Sequence, residues 1–226
     1  LVTPIYQTRD AKLQEYHSKL TDANRESLAF PTLPDFPSST DIVAKAEELK
    51  KFLILYDCGT PRIFEDGKYN YVFRTAAHAT MDNVALARYL KAKNIPVKSF
   101  NMINQDYAWG QDSRTDFVLA MAKLYPDAKP GEDLLPKFGA GQYGTEISAI
   151  MAKPADLVHS SLWGGDLQAL ILQSAPRGMF KRSQVVLSAG DHVLPGLGEK
   201  VPDGTILGAR GAYGLMAPKS PLNDWW

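Results

Sequence analysis

The sequence predicts an α/β fold in which parallel sheets are flanked by helices. From Phe52 onward, short apolar runs such as FLILY, SFNMI and QVVLS alternate with longer amphipathic stretches such as TMDNVALARYLKAK. Strands that alternate with helices are typical of parallel sheets covered on both faces. The chain has 226 residues, of which 45% are hydrophobic, and this is enough to bury one large core or two modest ones.

The first fifty residues carry the weakest patterns. Helical spacing of apolar residues predicts a helix over residues 10–20. The proline- and serine-rich segment Phe30–Thr40 then interrupts regular structure. It leads into a predicted helix, DIVAKAEELKK, for which Ser39 or Thr40 is the expected N-cap.

The remaining elements follow in regular order. Helices are predicted at TMDNVALARYLKAK, SRTDFVLAMAKLY, TEISAIMAK and DLQALILQSA, and strands at FLILY, SFNMI, DLLPKF, DLVHSSL and QVVLS. Three helices show a clear face at helical spacing. The residues predicted to form these faces are Met81, Val84, Ala85 and Leu90; Phe117, Met121 and Leu124; and Leu167, Leu170, Ile171 and Ser174.

Composition excludes several classes of function. Lysine plus arginine equals aspartate plus glutamate at 25 each, so no net charge attracts nucleic acid or an anionic membrane. The single cysteine excludes an internal disulfide, and four scattered histidines do not suggest a zinc site. No apolar run approaches the roughly 20 residues of a membrane helix. We therefore expect a small-molecule or protein partner, with no metal, no cofactor and no membrane insertion.

Four loops are expected to form the functional edge of the sheet. Ligands of open parallel sheets collect at the carboxyl ends of the strands, where loops lead into helix N-termini. Trp109 and Trp163 each precede a glycine in such a loop, and together they would form aromatic walls for a flat or aliphatic ligand. The alternative is two core tryptophans that cover the sheet edge. The four loops are Asp57–Pro61, Asn104–Gly110, Ser161–Asp166 and Ser188–His192.

No catalytic motif is present. The sequence lacks a G-x-S-x-G elbow, a Walker loop and H-E-x-x-H. The segment GAGQYG at 139–144 could bind phosphate, but its spacing does not fit the dinucleotide fingerprint, and flexibility between strand and helix explains its glycines. Cys58 is either a nucleophile after a strand or, more simply, a small buried thiol. The pattern therefore favours binding over catalysis.

The polar candidates have open alternatives as well. His78, His159 and His192 do not share metal-ligand spacing, so capping or packing is the expected role of each. His192 is also a candidate ligand contact, because it lies in a strand-end loop. Asp191 either faces a ligand ammonium group or caps the next turn.

Several segments together resemble one known family. YNYVFRTAAHATMDNVALARYLKAKNIPVKSFNMINQDYAWGQDSRTDF closely resembles the periplasmic, or extracytoplasmic, solute-binding proteins of ABC importers, typified by the leucine/isoleucine/valine receptors. In these type I periplasmic binding proteins, a strand like VFRTA crosses between lobes and a D-x-x-Y-G-like turn opens a later helix. TEISAIMAKPADLVHSSLWGGDLQALILQSAPRG resembles the second-lobe pattern of the family. The resemblance extends from about Phe52 to Tyr213.

The resemblance implies a two-lobed fold with an incomplete first lobe. Residues 1–76 would be a partial first lobe with an unmatched N-terminal segment, 77–207 the second lobe, and 208–226 a return crossing. The opening LVTPIYQTRD lacks the pattern of a signal peptide, so for an exported protein we expect the signal to precede this sequence. The family implies a periplasmic or extracytoplasmic location.

The resemblance also implies the roles of individual residues. The loop with Cys58, Gly59 and Thr60 would supply backbone amides and a hydroxyl to a ligand carboxylate. Trp109 occupies the place of a pocket aromatic residue that is commonly tyrosine, and Gly190 or Asp191 would hold an ammonium group. The residues predicted to bind the ligand are Cys58, Gly59, Thr60, Tyr107, Trp109, Trp163, Gly164, Asp191 and His192.

The implied function is solute binding without chemistry. The chain would close on an amino acid of branched-chain type, or on a related aromatic or aliphatic carboxylate, in a cleft between lobes. It would then deliver this solute to the membrane subunits of an ABC importer. Two alternatives share the sequence evidence: a ligand-sensing regulator or receptor domain of the same fold, and an enzyme on a flavodoxin-like sheet with Cys58 or His192 in its chemistry.

Overall fold

The structure is a computed structural model that describes residues 39–55, 58–209 and 219. The chain folds into two compact units. One comprises Leu1–Cys58 and Arg62–Thr75, and the other comprises Gly59–Pro61 and Ala76–Trp226. The helix predicted over 10–20 and most of the predicted return crossing lie outside the described residues, so both stay predictions.

The first unit contains a small parallel sheet. Helix α1 (Ser39–Glu48) confirms the helix predicted after the proline-rich segment, and strand β1 (Leu53–Leu55), helix α2 (Arg62–Asp66) and strand β2 (Val72–Arg74) follow. Leu53 lies opposite Val72 in the parallel β1–β2 pair. The core of this unit comprises Val43, Leu55, Ile63 and Val72.

The second unit contains a larger parallel sheet with the predicted alternation of helices and strands. Its elements are α3 (Ala79–Ala92), β3 (Ser99–Ile103), α4 (Ala108–Leu124), β4 (Lys129–Leu134), α5 (Gly144–Ala152), β5 (Leu157–Ser160), α6 (Gly164–Ser174), α7 (Met179–Arg182), β6 (Gln184–Leu187), α8 (Leu194–Leu197) and β7 (Ile206–Leu207). Two 3₁₀ turns, Asp191–Val193 and Gly198–Lys200, flank α8.

The order of strands in this sheet locates a switch point. The five parallel strands lie in the order β4-β3-β5-β6-β7. From β3 the chain moves outward to β4, then returns to the other side of β3 for β5. The loops after β3 and β5 therefore leave in opposite directions, and open α/β sheets bind their ligands at such a switch point.

Helices cover both faces of the five-stranded sheet. One core cluster joins α3 and α4 to β3, β5 and β6, and its buried residues include Leu86, Leu90, Phe100, Met102, Phe117, Met121, Leu157 and Val186. The other joins α5 and α6 to the opposite face and includes Ile103, Ile147, Ile150, Val158, Leu167, Leu170, Ile171, Val185 and Leu187. The predicted parallel sheet flanked by helices is thus confirmed.

One predicted strand is wrong in position. DLLPKF was expected to form the strand after α4, but β4 has the sequence KPGEDL and ends at Leu134. β4 is the edge strand of the sheet and most of its residues are exposed, so it carries no apolar run. Pro130 is tolerated there because an edge strand need not donate every backbone N–H to a neighbour.

The predicted buried face of α3 is correct only in part, since Leu90 is buried and Val84 packs against the core but Met81 and Ala85 are exposed. Met81 is 58% exposed, whereas the buried side of the helix includes Asn83, Leu86 and Leu90. The helix has apolar residues on two sides, and a polar residue at the centre of the buried side misled the apolar count. The faces predicted for α4 and α6 are confirmed, because Phe117, Met121, Leu167, Leu170, Ile171 and Ser174 are buried.

Candidate functional site at the carboxyl edge of the five-stranded sheet

The loops that follow β3 and β5 are joined by a buried amide. Asn104 Oδ1 accepts hydrogen bonds from the backbone N–H of Ser161 at 2.9 Å and from the Ser161 hydroxyl at 2.6 Å. Both residues are fully buried. Because backbone and side-chain groups are paired here, the two loops at the switch point hold a defined geometry.

Trp109 is buried against these loops. It is only 6% exposed and packs with Ala79 and Ala189 in a small buried cluster. Its indole Nε1 donates to the carbonyl oxygen of Ser161 at 2.9 Å. The structure thus places Trp109 close to the predicted site but mostly buried, and its ligand contact stays a prediction.

Three aromatic side chains, which we call the aromatic cluster, contact one another: Tyr107, Phe138 and Trp163. The Trp163 indole Nε1 donates to the Tyr107 hydroxyl oxygen at 2.7 Å. The Phe138 ring lies 5.4 Å from the Tyr107 ring and 5.7 Å from the indole, between ring centroids. Tyr107 and Trp163 were predicted site residues, and the structure brings them together.

Two residues of the cluster lie at the start of a helix. Tyr107 and Trp163 are the N-cap residues of α4 and α6, and both have extended backbone conformations. Gly110 lies so close to the backbone of Gln105 that an added Cβ would overlap it. The Tyr-Ala-Trp-Gly order therefore allows the turn after β3 to pack directly on the first turn of α4.

Gly164 and His192 are also in contact. The backbone N–H of Gly164, which has a φ of 57°, donates to His192 Nε2 at 2.7 Å. Because Nε2 accepts this bond, the neutral imidazole carries its proton on Nδ1. Nδ1 lies 4.0 Å from Asp191 Oδ1, and the Asp191 side chain is 17% exposed. His192 thus satisfies a backbone donor at the start of α6, in agreement with the expected capping role.

Asp166 connects three parts of this edge. Its carboxylate accepts hydrogen bonds from Gln105 Nε2 at 2.6 Å, from the backbone N–H of Gly139 at 2.7 Å and from that of Gly141 at 3.2 Å. The amides of Gly139 and Gly141 converge on this carboxylate, as in the anion-binding concavities that backbone N–H groups form in turns. The loop that sequence analysis considered for phosphate thus binds an anion of the protein itself, and its glycines are not explained by flexibility alone.

The charge of Asp166 is stabilised by these contacts. Burial raises the pKa of this carboxyl group. The neighbouring Tyr143 hydroxyl, the two backbone N–H groups and the Gln105 amide lower the pKa by more than burial raises it, so the net pKa is below the usual value. The Tyr143 hydroxyl is buried near this carboxylate and, among the described residues, makes no hydrogen bond to it. Burial and the adjacent carboxylate raise the pKa of Tyr143, so this hydroxyl stays protonated.

The predicted carboxylate-binding residues lie in both units. Cys58 belongs to the first unit, where it is half-buried against the apolar core and its carbonyl oxygen accepts from Arg74 at 3.4 Å. Gly59 and Thr60 belong to the second unit. The Thr60 hydroxyl donates to Asp112 Oδ2 at 2.6 Å, and the Gly59 carbonyl accepts from the Ala79 N–H at 2.8 Å. Their predicted role toward a ligand stays a prediction.

The other two described histidines have structural positions. His159 is fully buried, and His78 is the N-cap residue of α3 without a side-chain capping bond. Within the described residues, no group of three or more histidine, cysteine, aspartate or glutamate side chains is arranged to hold a metal ion. The same residues include no helix long and apolar enough to cross a membrane.

Sequence reasoning missed Phe138, Asp166 and Gln105. Phe138 was assigned to a strand, and Asp166 was considered only as the end of a loop. The weak signal for both was the pair of glycines at 139 and 141, which have φ angles of 75° and 64°. Such angles favour glycine and mark a loop of defined shape, but the sequence does not show which carboxylate fills it.

Comparison with known proteins identifies the family. The sequence model of the family described as "Periplasmic binding protein" matches residues 33–220, which is most of the chain. Among curated proteins, no match was found.

Solved structures share this fold. An amino acid ABC transporter substrate-binding protein from Pseudomonas fluorescens Pf-5 superposes with a TM-score of 0.71 at 16% identity, covering 83% of this chain and 49% of that protein. A leucine binding protein from Thermotoga maritima superposes with a TM-score of 0.65 at 16% identity, covering 81% of this chain and 51% of that protein. A Rhodopseudomonas palustris solute binding protein in complex with benzoate superposes with a TM-score of 0.60 at 17% identity, covering 70% of this chain and 43% of that protein. The chain thus spans about half the length of these two-lobed structures, and by its match over residues 33–220 it belongs to the periplasmic binding protein family.

Proposed function

We propose that this chain binds a small solute at the carboxyl edge of its five-stranded sheet and delivers it to an ABC importer. The observation that carries the proposal is the family match over residues 33–220. The position of the aromatic cluster supports it, since Tyr107 and Trp163 lie at the switch point where open sheets bind ligands. An extracytoplasmic location follows from the same proposal.

The proposed solute is an amino acid of branched-chain type or a related carboxylate. The rings of Tyr107 and Trp163 offer apolar surface for the body of such a molecule. The solved relatives named above include a leucine binding protein and a protein bound to benzoate. Cys58, Gly59 and Thr60 are the proposed contacts of the carboxylate, and Asp191 is the proposed contact of an ammonium group.

The proposed activity is reversible binding, with no covalent step. A solute that binds the closed state more tightly than the open state shifts the population toward closure. The membrane subunits of an importer are the proposed partners that recognise the closed state. The buried hydrogen bonds at the switch point favour such a role, because a fixed edge costs less ordering when the solute binds.

A thermal-shift screen tests this proposal. The purified protein is heated with amino acids, aromatic acids, short amides and nucleotides, each in large excess. A solute at about 100 times its dissociation constant adds about 2.7 kcal/mol of stability. We expect a raised Tm with one class of amino acid or carboxylate and none with nucleotides. No shift with any amino acid or carboxylate would contradict the proposal.

A matched pair of variants locates the site. Trp163→Ala removes the indole that contacts the Tyr107 hydroxyl, and we expect it to abolish the rise in Tm that the solute causes. Phe52→Ala removes an equally aromatic side chain, 69% exposed, before the amino end of β1. This control is expected to keep the full shift. Equal shifts in both variants would place the binding site elsewhere.

A further inference from the structure

Phe138 is the exposed member of the aromatic cluster. Its side chain is 57% exposed, although its ring packs against Tyr107 and Trp163. Apolar surface left in water costs about 25 cal/mol for each Å² compared with burial. A ring that is held in place and yet exposed at the edge of a binding site is surface that a bound apolar group can cover.

The loop that carries Phe138 is held at both ends by hydrogen bonds within the protein. Gly139 and Gly141 donate their backbone N–H groups to Asp166. Gln173 secures the other end of the loop, because its Nε2 donates to the Gly141 carbonyl at 3.0 Å and its Oε1 accepts from the Tyr143 N–H at 2.8 Å. The entropy of ordering this loop is therefore lost during folding and not during binding.

The contacts of Asp166 can fix the position of the Phe138 ring. The carboxylate lies in the first turn of α6, three residues after Trp163, and Gln105, two residues before Tyr107, donates to it. One buried side chain thus connects the three loops that present the three rings of the aromatic cluster. A change at Asp166 alters the position of Phe138 relative to the other two rings.

We propose that Phe138 is a third aromatic contact of the solute, and that Asp166 is the positioning residue that holds it there. This inference rests on the proposed solute-binding function and adds a residue that determines specificity to the same site. Because the three rings pack against one another, Phe138 extends the aromatic surface of Tyr107 and Trp163 that the apolar or aromatic part of the solute would cover. The loop acts as a preformed wall.

Isothermal titration calorimetry tests the contact. The 226-residue protein is titrated with L-leucine and with 4-hydroxybenzoate as probes. Phe138→Ala is expected to raise the Kd of the binding probe about tenfold, in the range of one lost aromatic contact with its buried area. Phe138→Leu is expected to raise it less. Because the side chain is largely exposed, the Tm of both variants should stay close to that of the wild type, and Phe52→Ala should leave the Kd unchanged.

A double-mutant cycle tests the positioning role. Asp166→Asn alone is expected to raise the Kd, whereas in the Phe138→Ala background it should add little, since the residue it positions is absent. Full additivity would contradict the positioning role. If Asp166→Asn does not fold by circular dichroism, Gly141→Ala strains the same loop at a φ of 64° with open space around the added Cβ, and the same cycle applies.

The two proposals fail differently. A wild-type protein that binds a probe, together with an unchanged Kd in Phe138→Ala, overturns the role of Phe138 and leaves solute binding intact. A wild-type protein that binds neither probe nor any amino acid or carboxylate of the thermal-shift screen overturns the proposed function, and the role of Phe138 falls with it.

Discussion

At the scale of single residues, the most unusual titratable group is His159 in the core of the second unit. Its Nε2 lies 2.7 Å from Asn83 Oδ1 and 3.1 Å from the Ser188 hydroxyl, and its ring stacks on Phe117 at 4.0 Å. Burial lowers the pKa of His159 from 6.5 to about 3. The imidazole is therefore neutral at neutral pH, and protonating it in the folded state is unfavourable.

This residue predicts how stability depends on pH. In the unfolded chain His159 takes up a proton below pH 6.5, whereas in the folded protein it does so only near pH 3, so its stabilising contribution is complete above pH 6.5 and is lost as the pH falls toward 3. The expected loss is about 1.4 kcal/mol of unfolding free energy per pH unit in that window. Urea unfolding at pH 7.5, 6 and 5 measures it.

Two variants isolate the contribution of His159. His159→Gln is expected to be less stable at pH 7.5 but to show a flatter dependence between pH 6.5 and 5. His192→Gln, at an exposed histidine, should keep the drop that comes from His159. Identical slopes in the wild type and in His159→Gln would contradict the assignment. Asp166 affects stability at lower pH. Because its pKa is depressed in the folded protein, its contribution to the unfolding free energy is complete above about pH 3.8 and is lost only as the pH falls below this value.

A substitution at Asp191 is expected to distinguish amino acids from simple carboxylic acids as solutes. If its carboxylate holds an ammonium group, Asp191→Asn removes a charged hydrogen bond and weakens an amino acid by roughly 1.5–3 kcal/mol. A simple carboxylic acid has no ammonium group, so its affinity should scarcely change. Calorimetric titration of both solute classes against both proteins measures the difference, and equal losses would refute the ammonium role.

At the scale of elements, the turn before α4 depends on a glycine. A Cβ at Gly110 would overlap the backbone of Gln105, so Gly110→Ala forces the helix away from the turn. Overpacking of this kind costs typically 1–3 kcal/mol. Gly165→Ala is a matched control within α6, because its added Cβ meets no atom within 4 Å and alanine favours a helix by up to about 1 kcal/mol.

Thermal unfolding of both variants checks this prediction. For a chain of this length, each kcal/mol lost lowers the Tm by roughly 2–4 °C. We expect a lower Tm for Gly110→Ala and an unchanged or higher Tm for Gly165→Ala. Since Tyr107 and Trp109 lie on the displaced turn, the first variant should also weaken solute binding. A Gly110→Ala protein as stable as the wild type would contradict the close packing.

The elements also show what the sequence could predict. α4 and α6 have one apolar face each, and their buried residues were identified correctly. β4 is an exposed edge strand and α3 buries a polar residue, Asn83, so apolar counting failed for β4 and in part for α3. A pattern of hydrophobicity reports burial and not structure itself, and it misleads wherever an element is exposed or where its buried side is polar.

The same limit applies to the site. The location of Tyr107 and Trp163 in neighbouring loops could be predicted, because each follows a strand that the sequence shows clearly, and the structure brings them into contact. Asp166 could not be predicted, since its partners Gly139 and Gly141 lie 27 and 25 residues away and meet it only because β4 and β5 lie on either side of β3 in the folded sheet. Contacts made across the sheet depend on strand order, which local periodicity does not contain.

At the scale of the whole molecule, the two units differ in how their strands are protected. β5 and β6 each lie between two neighbouring strands, and helices cover both faces of their sheet. Among the described residues of the first unit, β1 and β2 form a sheet of two strands with three residues each. Two strands alone are marginally stable in water, so the stability of β1 and β2 depends on a much smaller apolar core.

Hydrogen exchange followed by mass spectrometry should therefore separate the two sheets. The hydrogen bonds of Leu157–Ser160 and Gln184–Leu187 are expected to break only when the large core unfolds. We therefore expect the amide hydrogens of these strands to exchange at least about tenfold more slowly than those of Leu53–Leu55. β4 is the internal control: it belongs to the second unit but lies at the sheet edge, and its amides should exchange faster than those of β5. Equal protection of β1, β4 and β5 would mean that one cooperative transition opens all three strands, and that burial within each sheet does not set local stability in this protein.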